Sequence, residues 1–328
     1  MAHEIDFSTG KAAIAYSGET PWHKLGTKVD NMMTSAEALE FASLDWHVSK
    51  HPAFHTGPDG IPKPIPNRFV TVRDDVHNPL GVVGSWYKPI QNKDAFDFMD
   101  SVVSDGGMRY EVAGALAGGA TVWMLAKLPS QTRICHDDIS NHYLLFQNTH
   151  DGRAVCSVSF TTVRVVCANT LRIAGLRGLE REVKIRHTGS IHSKLEHAQM
   201  VLGLAEQSFA DFGKQALALS FKDTSQAKID AFLKELFAVE TAEDLKRGSI
   251  KKQAMDSIKR LVESGLGSDL VGSRGTYWGL FNAVTEFVDH YKDIRKTGRE
   301  PNDLYLDSIT YGAGYELKRK AWELAVTA

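Results

Sequence analysis

The sequence predicts an α+β protein: a mainly antiparallel twisted sheet with packed helices, followed by a helical carboxyl-terminal region. Three observations carry this. Up to His187 the chain is built from short β-branched and aromatic runs of period two. Two pairs of these runs are joined by Gly118-Gly119 and by Asp151-Gly152, residues that tolerate the positive φ of a tight hairpin. After His187 the apolar period lengthens to that of amphipathic helices. The 328 residues exceed the usual size of a single core. The change of period divides them into a sheet domain, residues 1–188, and a helical region, 189–328, that packs on it or mediates oligomerisation.

The elements follow in order. Thr20 to Val29, TPWHKLGTKV, reads as an ordered loop. Thr34 begins a helix with a capping box, because Glu37 stands three residues on and can return the hydrogen bond. Trp46, Val48 and Lys50 share one face of a strand, and the proline-rich GPDGIPKPIPN that follows reads as a surface loop. Strands are expected at Arg68 to Arg73 and Leu80 to Trp86, then a helix from Lys93 to Val103 that Asn92 can cap. YEVAGALAGGATVWMLAKL and NHYLLFQNTHDGRAVCSVSF supply the two hairpins. VSFTTVRVVCANTLRIAG, Val158 to Gly175, reads as a strand running into a helix after Cys167. Glu180 to His187 reads as one more strand. A long helix from Ser190, with Gly203 or Gly213 as breaking points, then precedes helices at Ser225 to Val239, Ser249 to Ser264, Tyr277 to Arg295 and Asp303 to Ala325. In the third of these, Trp278, Phe281, Val284, Thr285 and Val288 recur at helical spacing and Tyr291 continues their face. That stripe suits a packed helix or a subunit interface.

Several function classes are disfavoured. The apolar share of 43% and charged share of 24% are those of an ordinary globular protein, so most of the chain should be ordered. A net charge of −2 gives no global preference for nucleic acid or membrane. The cysteines, Cys135, Cys156 and Cys167, are odd in number and form no C-x-x-C pair, which points to a reducing, cytoplasmic setting. The amino terminus lacks the pattern of a secretory leader, and no apolar run approaches the roughly 18 residues that span a bilayer.

Charge is nevertheless segregated. Between Arg153 and His197 the cations are Arg153, Arg164, Arg172, Arg177, Arg181, Lys184, Arg186 and Lys194, against Glu180, Glu182 and Glu196, so eight minus three leaves +5. Arginine outnumbers lysine there by six to two, and a planar guanidinium suits bidentate contact with phosphate. The helix start expected after Cys167 would add backbone N–H groups beside Arg164. The bland alternative is that these arginines pair with carboxylates of the helical half. Aromatics able to stack on bases would come from Phe160 and from neighbouring strands, through Trp86, Tyr87, Tyr143 and Phe146.

A rival constellation is His136, Asp137, Asp138, His142, His150 and Asp151, whose imidazoles and carboxylates could hold a divalent metal for hydrolysis. Its spacing matches no H-E-x-x-H or C-x-x-C signature, and Asp151 is already accounted for by its hairpin. Cys167 with His187 could make a thiolate pair, but apolar surroundings leave a thiol inert. His23 is better read as tucking its loop onto the core. No motif fixes a reaction, and no cofactor is expected.

PWHKLG, NTHDG (148–152), TTVRVVCANTL (161–171), IRHTGSI (185–191) and GTYWGLFNAVTEFVDH (275–290) resemble, in that order, the phage/plasmid-like proteins built on domain of unknown function 932. The resemblance spans nearly the whole chain and implies residence on phages, plasmids or integrated elements. It brings no catalytic residues, because that family carries no agreed mechanism. The order strand, strand, strand, long helix from Tyr143 to Ser190 is also similar to single-strand annealing proteins of phage recombination, a likeness of fold only. The expected function is nucleic-acid binding, with single-stranded DNA favoured, by a homo-oligomer that uses Arg153, Arg164, Arg172, Arg177, Arg181, Lys184 and Arg186. The alternatives are a metal-dependent hydrolase using His136, His142, His150 and Asp151, and an interaction protein such as a host-defence antagonist.

Overall fold

The computed structural model describes residues 5–18, 25–102, 109–164, 170–172, 182–188, 195–246, 249–292 and 313–328. The protein is α+β. Its strands are β1 (Ile14–Ser17), β2 (Thr27–Val29), β3 (Val48–Thr56), β4 (Pro62–Arg73), β5 (Asn78–Gly84), β6 (Tyr110–Leu116), β7 (Thr121–Cys135), β8 (Asp138–Thr149), β9 (Cys156–Arg164), β10 (Thr170–Arg172) and β11 (Glu182–Ile185). Its helices are α1 (Ser35–Phe41), α2 (Asn92–Val102), α3 (Leu195–Ser220), α4 (Gln226–Leu236), α5 (Ile250–Ser264), α6 (Tyr277–Glu286) and α7 (Ala313–Thr327). One sheet has eight strands in the order β10-β9-β8-β7-β6-β1-β2, with β11 also on β9, and a second has the order β3-β4-β5. The β1–β6, β6–β7, β9–β10, β9–β11, β3–β4 and β4–β5 pairs are antiparallel, and β1–β2 is parallel.

Local chemistry explains the turns. Between β6 and β7, Ala117, Gly118 and Gly119 all have positive φ, at 52°, 65° and 96°, which the two glycines accept without strain. Gly152, φ 77°, does the same between β8 and β9. The expected capping box is present: the Glu37 N–H donates to Thr34 Oγ1 at 3.3 Å and the Thr34 N–H donates to Glu37 Oε2 at 2.8 Å. Asn92 does not cap α2. It is the first helical residue, and its buried amide donates to the Leu44 carbonyl at 2.9 Å.

Besides Thr27–Val29, which forms β2 within the stretch read as a loop, three segments depart from the sequence reading. The proline-rich stretch is not a loop throughout, because Pro62, Pro64 and Pro66 belong to β4 and the first two pair with Thr56 and Phe54 of β3. Prolines at alternate positions lack N–H groups along one edge only. β5 pairs from Arg68 onward, so that edge has no ladder to lose. Second, Thr170–Arg172 is a strand and not a helix, paired with β9 as Thr170↔Val163 and Arg172↔Thr161; β-branched side chains on both partners suit a ladder better than a helix. The helix-terminus contribution expected beside Arg164 is therefore missing at these residues. Third, α3 passes through Gly203 and Gly213 as one helix. A Cβ at Gly213 would stand 2.9 Å from Thr132 Cγ2, so this glycine permits close helix-to-strand packing.

The contacts group the chain into two compact units, residues 1–127, 144–159 and 180–204, and residues 128–143, 160–179 and 205–328. β7, β8 and β9 each give one end to each unit. In the first, Ala38, Phe96, Phe98, Met99 and Tyr110 are completely buried, and Phe96 meets Tyr110 edge-on at 5.0 Å. In the second, Phe212, Trp278, Phe281 and Trp322 form one aromatic cluster, and the Trp278 indole donates to Asp138 Oδ2 at 2.7 Å. All ten residues of α6 are buried, so its aromatic stripe is interior. Tyr291, at the end of the π-helical turn Phe287–Tyr291, is exposed. Among the described residues no helix is long and apolar enough to cross a membrane.

Candidate nucleic-acid interface

β5 ends at Gly84, and the turn Ser85–Lys88 sends two adjacent aromatics in opposite directions. Tyr87 points inward: its ring stacks on His187 with centroids 4.6 Å apart, and its hydroxyl donates to the Thr149 carbonyl at 2.8 Å. Burial, reinforced by the Asp151 carboxylate, holds its phenol pKa well above the usual range. Trp86 points outward and is 84% exposed. The turn beneath it is pinned from several sides. The Tyr87 N–H donates to the Gly84 carbonyl at 3.2 Å and the Lys88 N–H to the His187 carbonyl at 2.6 Å. The Lys50 ammonium donates to the Ser85 and Tyr87 carbonyls, both at 2.9 Å. An indole on so constrained a turn has little freedom to lose when a planar group stacks on it.

Cations surround this turn. Arg68 pairs with Gly84 across β4 and β5, Lys88 lies two residues beyond Trp86, and Arg186 precedes the His187 that anchors the turn. Arg153 is brought in by close backbone packing: a Cβ at Gly81 would stand 2.4 Å from the Asp151 carbonyl oxygen, and one at Gly152 would stand 2.8 Å from Val83 Cγ1. Arg68, Lys88, Arg153, Lys184 and Arg186 are all exposed. Arg153 Nε lies 3.3 Å from Asp151 Oδ2 while its side chain is 72% exposed. A surface pair of that kind is worth about 0–1 kcal/mol and does not lock the guanidinium. Gly81→Ala should force β5 and the β8–β9 connection apart, lowering stability by about 1–3 kcal/mol; an unchanged unfolding midpoint would count against this packing.

Of the seven cations singled out in the sequence, Arg153, Lys184 and Arg186 are exposed in this unit. Arg164 and Arg172 end β9 and β10, but their side chains, like Arg177 and Arg181 altogether, lie outside the described residues. Among the candidate stacking aromatics, Tyr143 and Phe146 are buried at 2% and 0%, Phe160 at 1%, and Tyr87 is turned inward. Trp86 alone of these five is exposed. Sequence reasoning missed Arg68 and Lys88. The available signal was the alternation along β5, where exposed Val82 (62%) stands next to buried Val83.

The motif histidines occupy interior positions. His150 is completely buried, and its Nε2 lies 3.0 Å from Asn92 Oδ1. The Asn92 amide nitrogen is committed to Leu44, so Asn92 Oδ1 must accept from Nε2–H, which leaves His150 Nδ1 as the bare nitrogen. Asn148 is oriented in the same way by donating to the Ile90 carbonyl at 2.9 Å. Burial, with His187 and Arg73 adding to it, pulls the His150 pKa down to about 3, and burial pulls His187 down to about 4. His142, in the other unit, stacks on Phe209 at 3.7 Å with Ser130 and Thr132 hydroxyls 2.8 Å from its two nitrogens; burial lowers it to about 4. His136 is an exposed turn residue with φ 42°, and Asp151 accepts from the Arg153 N–H at 2.9 Å. Among the described residues no three His, Cys, Asp or Glu side chains stand where they could hold a metal ion. His23 and Cys167 lie outside the described residues.

Fold and surface together define an α+β protein in which an outward tryptophan stands on a turn at the end of the small sheet, with the exposed cations Arg68, Lys88 and Arg186 on the backbone segments that meet there. The chain belongs to the family of domain of unknown function DUF932, whose model matches residues 79–309. That span takes in Trp86, Lys88, Arg153, Lys184, Arg186 and both motif histidines of the first unit. No curated protein and no solved structure gives a significant match.

Proposed function

We propose that the protein binds nucleic acid, acting in recombination or replication of a phage, plasmid or integrated element. Arg68, Lys88, Arg153, Lys184 and Arg186 meet the phosphates, and Arg164, Arg172, Arg177 and Arg181 remain the further candidates that the sequence offers. The observation that carries this is the gathering of exposed cations about one pinned turn in a chain whose total charge is negative. Free Cys135 and Cys156 suit a reducing, cytoplasmic setting. Association of copies would extend the track along a strand.

The test is a salt titration of binding to labelled single-stranded and duplex DNA. Each phosphate contact should add about 0.7 to the log–log salt slope on a single strand and about 0.9 on duplex. Arg153→Ala with Arg186→Ala should therefore flatten the single-strand slope by about 1.4 and weaken binding at low salt. No detectable affinity at low salt would exclude the function, and an unchanged slope in the double variant would exclude this surface.

A further inference from the structure

We infer that Trp86 is a stacking platform for an unpaired nucleobase, so that the polymer held on this surface is a single strand; this rests on the nucleic-acid reading above. An indole 84% exposed leaves a large apolar face in water on a turn fixed by Lys50, Gly84 and His187. Such a face is kept outward at a cost that a partner's ring can offset.

The ring's neighbours decide what that partner is. A purely apolar protein partner would meet Val82 and then a border of guanidinium and ammonium groups that it would have to desolvate. A nucleotide offers a planar π-face with a phosphate on either side, which suits an exposed indole on a turn whose backbone neighbours carry the exposed cations Arg68, Lys88 and Arg186. In a duplex both faces of each base are already stacked on neighbours and cannot reach the indole. Phe54, Ile61 and Ile65 are exposed apolar side chains of this unit too, but the lysine between them in sequence is already engaged. Lys63 is held by Asp59 at 2.7 Å.

The experiment compares wild type with Trp86→Ala, Trp86→Phe and the Arg153→Ala/Arg186→Ala pair, using a labelled oligothymidylate and a labelled duplex hairpin as probes. Trp86→Ala should bind the oligothymidylate about ten-fold more weakly, with the salt slope and the duplex affinity unchanged. Trp86→Phe should recover most of the loss. Oligothymidylate should quench the tryptophan emission of wild type, and the alanine variant should lose most of that quenching. If Trp86→Ala binds the oligothymidylate as wild type does while the arginine pair fails, the nucleic-acid reading stands and the stacking platform is overturned. An equal loss on both polymers, or a changed assembly state with unchanged affinity, overturns it too. If wild type binds neither polymer at low salt, both readings fall together.

Discussion

Arg73→Met is expected to destabilise the protein by about 3–5 kcal/mol, the usual cost of leaving one partner of a buried ion pair stranded. Arg73 closes β4 with its side chain fully buried, bonded to Asp6, whose side chain is 1% exposed, and to Asp75 at 2.7 and 2.9 Å. Its guanidinium lies 4.4 Å over the Trp46 ring. Burial opposes the charge, but the hydrogen bonds and charges of Asp75 and Asp6 outweigh it and raise the pKa above the ordinary arginine value. Asp75 is partly exposed and can recover water. Asp6 cannot, and among the described residues would keep only the Ser8 N–H and hydroxyl that already bond its Oδ1.

The magnitude matters because a whole domain is typically stable by only about 5–15 kcal/mol. Urea unfolding measures the loss, and the decisive companion is Arg73→Met with Asp6→Asn. Removing the stranded charge should restore a good part of the stability, as expected for a charge left without compensation and not for a lost van der Waals contact. A single variant within about 1 kcal/mol of wild type, or a double variant worse than the sum of its parts, would show that Asp6 is not enclosed as described.

What could be read from the sequence was whatever depends on neighbours in the chain. The Thr34 and Glu37 pair marked α1, Asp151-Gly152 and Gly118-Gly119 marked their hairpins, and the long apolar period marked α3, because each signal is completed within a few residues. The site was less legible. Trp86 and Tyr87 are adjacent and chemically alike, and which of them faces water is settled by His187, a hundred residues away, stacking on one of them. Lys88 and Arg68 look like ordinary surface charges until β4, β5 and the end of β11 bring them round a single turn. His136, His142 and His150 look like a cluster in one dimension, yet one is on a turn, one lies against α3 and one is held by Asn92. The prolines of β4 concealed a strand because only the ladder shows which edge is spared. Asn92 reads as a cap, and only the Leu44 carbonyl and His150 reveal it as an internal strut.

Those interior imidazoles lead to a second large effect: stability should fall steeply on mild acidification. An ordinary histidine has a pKa near 6.5, whereas burial holds His150 at about 3 and His142 and His187 at about 4. The unfolded chain therefore binds more protons than the folded one between about pH 6.5 and pH 4, so the stability these groups confer is complete above that window and is lost as pH falls through it. Each contributes about 1.4 kcal/mol per pH unit. By about pH 5 the three together amount to a loss on the order of 5 kcal/mol, enough to unfold a protein of ordinary stability. The carboxylates of Asp59, Asp230, Asp244 and Glu37 do not mimic this, because hydrogen bonds hold them below their usual values and their contribution is lost only at lower pH. Urea midpoints measured stepwise from about pH 7 to pH 5 should decline with a slope that approaches three protons, and the His142, His150 and His187 resonances of the folded protein should stay in the neutral form throughout. A midpoint that is flat across that range would mean that these histidines are open to water, and the interior assigned to NTHDG and IRHTGSI would have to be abandoned.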